Sequence, residues 1–93
     1  MKEDLVYLRH KIQKIDEKIQ DLFLKRIEYI LQVKTIKIKQ NLPVEQKNVE
    51  KEKKEKLLKR LKNKLYEKEY LELIDKFFDL SKQIQTKGEN INE

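Results

Sequence analysis

Leu5–Lys39, LVYLRHKIQKIDEKIQDLFLKRIEYILQVKTIKIK, contains neither Gly nor Pro. Apolar residues recur at Leu5, Leu8, Ile12, Ile15, Ile19, Leu22, Tyr29 and Val33, in steps of three and four. That spacing is the seam of one long amphipathic helix. Arg26 interrupts it, standing seven residues past Ile19 and seven before Val33, where the series demands an apolar side chain. Lys37 lies eleven residues further on, about three helical turns, and so points roughly the same way. Two cations on the buried side of a helix are costly unless an anion meets them.

A helix of this length runs to roughly 54 Å. A compact domain of this size has a radius of gyration of only about 13 Å. The remainder of a 93-residue chain is too short to cover both ends of such a helix. The overhang calls for a partner, most simply a second copy of the chain.

The composition narrows the function classes. Residues 1–93 read as a single small domain. With no Cys and one His, His10, there is no disulfide framework, no thiolate metal site and no basis for a metal centre. No apolar run approaches the roughly 18 residues of a membrane span, and a signal-peptide core is not evident, so a cytoplasmic protein without membrane contact is expected. Charged residues make up 43% of the chain, and the single Pro and single Gly leave little turn chemistry, which favours an all-helical fold. The net charge of +6 raises nucleic-acid binding. Against it, the positive charge is nearly all Lys interspersed with Glu and Asp, the pattern of a solvated helical face. Arg, the usual residue for bidentate phosphate and base contacts, occurs only at Arg9, Arg26 and Arg60.

In chain order, Asp4 is the expected N-cap of the first helix. The segment 40–47 is a loop in which Pro43 stops that helix. Asn48 is the expected N-cap of a second helix carrying Leu57, Leu58, Leu61 and Leu65. A break near Tyr66–Glu69 separates it from a third, carrying Tyr70, Leu73, Ile74, Phe77, Phe78 and Ile84. Gly88 is its expected C-cap, with GENINE as a frayed polar tail.

Each helix places polar residues on its apolar side. The first contributes Arg26 and Lys37, with Arg9 at the border of the stripe; the second contributes Glu50; the third contributes Ser81 and Gln85. Singly, each has a mild explanation, such as a snorkelling Arg or a Ser bonded back to its own helix. Together they describe a polar pocket inside a helical bundle. It is strongly cationic, with one carboxylate and two neutral hydrogen-bonding groups, and suits a small di-anion. The pocket has no nucleophile–base pair, so any chemistry in it must rest on positioning and electrostatics.

These residues resemble the all-helical class of chorismate mutases. LRHKIQKID, Leu8–Asp16, is similar to that family's first-helix motif Leu-Arg-x-x-Ile-x-x-x-Asp. Arg26, ten residues past Asp16, then Lys37, Pro43–Val44, Glu50 and the closing Ser81-x-x-x-Gln85 follow in the family's order. The resemblance implies three helices, one long and two shorter, forming an intertwined helical-bundle homodimer with two equivalent sites and no cofactor. It implies the Claisen rearrangement of chorismate to prephenate, on the route to phenylalanine and tyrosine. By the same resemblance, Arg9 from the neighbouring subunit and Arg26 bind the two substrate carboxylates, and Ser81 assists one of them. Lys37 and Gln85 donate to the ether oxygen, and Glu50 receives the substrate hydroxyl.

Two positions depart from the family pattern. Val49 stands where an Arg usually precedes the Glu, and Gln46 where many members carry an acidic residue. Both bear on affinity more than on reaction type. The alternative within the same fold is an isochorismate pyruvate-lyase, releasing salicylate and pyruvate from a similar cationic pocket. The alternative from another class is a non-catalytic basic helical dimer.

Overall fold

A computed structural model describes residues 4–91, and side chains over 4–86. Three α-helices and one short 3-10 turn make up the secondary structure of these residues: α1 (Leu5–Gln40), α2 (Lys47–Arg60), the turn Lys64–Tyr66, and α3 (Glu67–Ile91).

Helix α1 starts where Asp4, in extended conformation, accepts a hydrogen bond from the Tyr7 backbone N–H at 3.0 Å. It ends at Asn41, whose left-handed backbone (φ 58°, ψ 42°) suits Asn better than a β-branched residue. The Leu42 N–H then bonds the Lys37 carbonyl at 2.8 Å and closes the helix end. Lys37 and Lys39 lie in the last turn, favourable to the helix dipole.

Three boundaries differ from expectation. Asn48 is not the cap of α2. The Glu50 N–H already bonds the Gln46 carbonyl at 3.1 Å, so Gln46 takes the cap position and Asn48 falls inside the first turn. The break after α2 comes at Leu61–Asn63, upstream of Tyr66–Glu69. Leu61 turns extended (ψ 113°), and the Asn63 side chain accepts from the Leu65 N–H at 3.0 Å, opening the 3-10 turn that leads into α3. Gly88 does not end α3. No Gly has a positive φ, and the helix continues through Glu89, Asn90 and Ile91, none of which breaks it. The last two residues of the expected tail lie outside the described range.

Helix α3 supplies what core there is. Ile74, Phe78, Ser81 and Gln85 are its buried positions, at steps of four, three and four, and α3 packs against both α1 and α2. On α1, the half-buried positions are Phe23, Arg26, Ile27, Ile30, Lys34 and Lys37. The seam read from the sequence is a neighbouring stripe, and it stays open: Leu5 is 63% exposed, Leu22 69%, and Leu8, Ile12, Ile15, Ile19 and Tyr29 are exposed as well. Arg26 lies where the two stripes meet. None of the described residues of α1 is fully buried. The molecule is accordingly elongated, 58 × 31 × 16 Å, with a radius of gyration of 17.2 Å. A compact chain of this length would have one of about 12–13 Å.

Candidate active site

A cleft of about 130 Å³ lies between the second half of α1, the loop 41–46, the start of α2 and the last described turns of α3. Arg26 and Lys37 reach it from α1, Glu50 and Lys53 from α2, and Ser81, Lys82 and Gln85 from α3. Ile30, Val33 and Phe78 form its apolar wall. Five of the six candidate residues therefore line one cavity. Arg9 does not. It is exposed on α1, seventeen residues before Arg26, so about 25 Å from it along the helix.

At one end, the Arg26 guanidinium donates to Ser81 Oγ, and Ser81 Oγ donates to the Phe77 carbonyl at 2.9 Å. Ser81 thus bonds back to its own helix and still presents a lone pair to the cation. The guanidinium carbon also lies 5.4 Å from the centre of the Phe77 ring, within cation–π range. Burial pushes the Arg26 pKa below its ordinary value. No carboxylate lies within salt-bridge distance of Arg26 among the described residues.

In the middle, Lys37 Nζ donates to the Val44 carbonyl at 2.6 Å and to Gln85 Oε1 at 2.9 Å. Gln85 is only 4% exposed. Because its Oε1 accepts from Lys37, its Nε2 remains a donor for whatever occupies the cleft. The pKa of Lys37 is held below the usual lysine value, first by burial and then by the charge of Lys53, with Glu50 partly opposing both.

At the mouth, Lys82 Nζ stands 3.4 Å from Glu45 and 3.5 Å from Glu50. Burial draws its pKa down, but the hydrogen bonds and charges of Glu45 and Glu50 outweigh that and raise it. One ammonium thus joins the loop and α2 to α3 and holds the Glu50 carboxylate in place. Lys82 and Lys53 escaped the sequence reading, although the signal was there. Lys82 directly follows Ser81 and Lys53 lies three residues past Glu50, both within the arc that a helix turns toward one cavity. Gln46 and Val49 line the same cleft, so both departures from the family pattern bear on the site itself.

The family model for chorismate mutase type II matches residues 8–86. The chain belongs to that family. The match takes in α1 from Leu8, all of α2 and α3 as far as Thr86, and with them all eight charged and polar residues named above in the cleft. The all-helical class identified from the sequence motifs is therefore the right one, and the three helices without a strand among the described residues agree with it. No curated protein and no solved structure matches the chain. In this chain, a hydrogen-bonded Lys37–Gln85 pair faces the cleft together with Val49 and Lys53 along the wall formed by α2.

Proposed function

We propose that the protein is a chorismate mutase, converting chorismate to prephenate in phenylalanine and tyrosine biosynthesis, and that it works as an intertwined homodimer. One observation carries the reading: Lys37 and Gln85, joined by a hydrogen bond, offer two N–H donors side by side in a cleft that also holds the Arg26–Ser81 pair.

The reaction is an internal rearrangement of a di-anion. A C–O ether bond breaks as a C–C bond forms, and no proton, nucleophile or cofactor is required. What a protein supplies is a compact conformer and stabilisation of the charge that grows on the ether oxygen. Lys37 Nζ and Gln85 Nε2 are donors for that oxygen. Arg26 and Ser81 take one carboxylate, and Arg9 of the neighbouring subunit takes the other. Glu50, steadied by Lys82, accepts from the substrate hydroxyl. Donors fixed before substrate arrives favour the transition state over the ground state, because they meet charge that the substrate does not yet carry.

The dimer is supported by the surface of a single chain. Its accessible area is 8336 Å². A folded monomer of this mass exposes about 5,800 Å². The excess of roughly 2,500 Å² per chain is what an obligate homodimer buries. The open stripe from Leu5 to Leu22 lies on the same helix as Arg9, so a copy that covers the stripe brings a foreign Arg9 along with it. The unfolding midpoint is expected to rise with protein concentration, as linked folding and association require. A compact and fully active monomer in sedimentation would contradict this.

The function is tested by incubating purified protein with chorismate and following the products by NMR. Prephenate is the expected product. Isochorismate in a parallel incubation is expected to stay intact. Salicylate and pyruvate from it, with chorismate untouched, would instead mark a lyase. If neither compound changes, the enzymatic reading fails.

A further inference from the structure

Helix α2 turns two residues three positions apart, Glu50 and Lys53, toward the same cleft. Glu50 is matched by Lys82. Lys53 has no carboxylate within 4 Å among the described residues, although the neighbouring Lys54 meets Asp75 at 2.6 Å. A lysine on a helix with Glu52 and Glu55 close by in sequence has anions at hand on the solvent side, yet Lys53 lines the cavity and stays unpaired. Val49, one helical turn before it on the same wall, adds no charge. On resting on the chorismate mutase reading of this cleft, we propose that Lys53 is a substrate-binding residue, the cation by which α2 holds a carboxylate of the di-anion.

The electrostatics of the cleft fit this role. Arg26 and Lys37 on α1 and Lys53 on α2 are three cations without a salt-bridge partner among the described residues. Lys53 lies near enough to Lys37 for its charge to lower the pKa of that ammonium. The charged groups that share the cleft with Lys37 are Arg26 on its own helix, Glu50 and Lys53 on α2, and Lys82 on α3, with Lys34 one turn before it on α1 and Glu45 on the loop. Glu45 and Glu50 are engaged by Lys82, and Glu50 only partly offsets the repulsion between Lys53 and Lys37. A bound carboxylate between them removes it. Lys53 sits on an exposed rim and is not a donor to the ether oxygen, so it acts alike on ground and transition states. Its contribution belongs in KM, with kcat little changed.

The test compares Lys53→Met, Lys53→Arg and Lys53→Met combined with Val49→Arg against the wild type. Lys53→Met is expected to raise KM for chorismate about fivefold, the scale of an exposed ion pair, while kcat moves by less than about twofold. Lys53→Arg is expected to keep KM, and adding Val49→Arg to Lys53→Met to restore it, since position 49 reaches the same wall. The alkaline limb of kcat/KM, where Lys37 loses its proton, is expected to move to higher pH in Lys53→Met, a change that loss of packing would not produce. Calorimetric titration with prephenate gives a binding readout that needs no turnover. A wild type that converts chorismate, with Lys53→Met matching it in KM, prephenate affinity and pH profile, overturns the role of Lys53 alone. A wild type that neither converts chorismate nor binds prephenate overturns the role and the function together.

Discussion

Arg26→Ala lowers kcat/KM for chorismate by about 2–4 kcal/mol of transition-state stabilisation, roughly 30- to 800-fold, the loss that follows removal of a desolvated charge partner. The fold is expected to tolerate the change. Ser81, which accepts from Arg26, keeps its bond to the Phe77 carbonyl, and Arg26 itself is only half-buried. The loss thus falls on the substrate carboxylate. Arg9→Ala is expected to cost a similar amount, yet Arg9 is about 25 Å from the cleft of its own chain. In the proposed dimer, the two defects belong to different subunits of one site. Mixing the inactive variants and allowing subunit exchange gives heterodimers in which one site has both arginines and the other neither. At equal amounts and random exchange, recovery approaches about a quarter of wild-type activity. No recovery once exchange is demonstrated would refute a site shared between chains.

Gln85→Glu inverts the pH dependence of the enzyme. The amide and the carboxyl have nearly the same shape, but a carboxylate has only acceptors, while the neutral acid keeps a donor. At neutral pH, a carboxylate at position 85 pairs with Lys37, which stands 2.9 Å from the present Oε1, and repels an oxygen that is gaining negative charge. The variant is therefore poor at neutral pH, and kcat/KM rises as pH falls through the pKa of the new group. Two influences set that pKa. Burial at a site 4% exposed raises it, and the Lys37 ammonium lowers it. Both leave the sign intact: protonation restores function. Wild type has no such acid optimum, because Gln does not titrate. Measuring kcat/KM from acid to neutral pH, with folding verified by circular dichroism at each pH, decides the matter. A variant that tracks the wild-type profile would remove Gln85 from the reacting oxygen.

Much of the cleft was legible in the sequence because polar residues interrupt apolar series at helical spacing. Arg26, Lys37, Glu50, Ser81 and Gln85 all declared themselves in this way, and all line one cavity. Lys53 and Lys82 share the helical spacing of Glu50 and Ser81 but did not stand out, since they sit among many other Lys residues on helices with mixed charge, where one cation looks like the next. The long helix was legible from its unbroken run and from Asp4. Which of its stripes packs within the chain was not. Periodicity identifies an apolar face but does not name its occupant, and α1 has two. Phe23, Ile27 and Ile30 turn toward the rest of the chain, whereas Leu22 and Tyr29 stay open. The α2–α3 junction was misplaced because neither Gly nor Pro marks it. Its signal is Asn63, a residue that caps as readily as it occupies a helix face.

Lys37 grips the loop that follows it twice, its backbone carbonyl holding the Leu42 N–H and its ammonium holding the Val44 carbonyl. Chain statistics alone would leave such a connection free to grow, at only about 0.6 kcal/mol for each doubling of its length. Here a longer connection would withdraw the Val44 carbonyl from the ammonium and let a four-carbon stem recover its rotamers. The span from Asn41 to Gln46 therefore works as a calibrated spacer, with its length set by the reach of one side chain. Insertions elsewhere on the surface cost mainly chain entropy, whereas one in this spacer would detune the ammonium that joins the loop to Gln85 in the cleft.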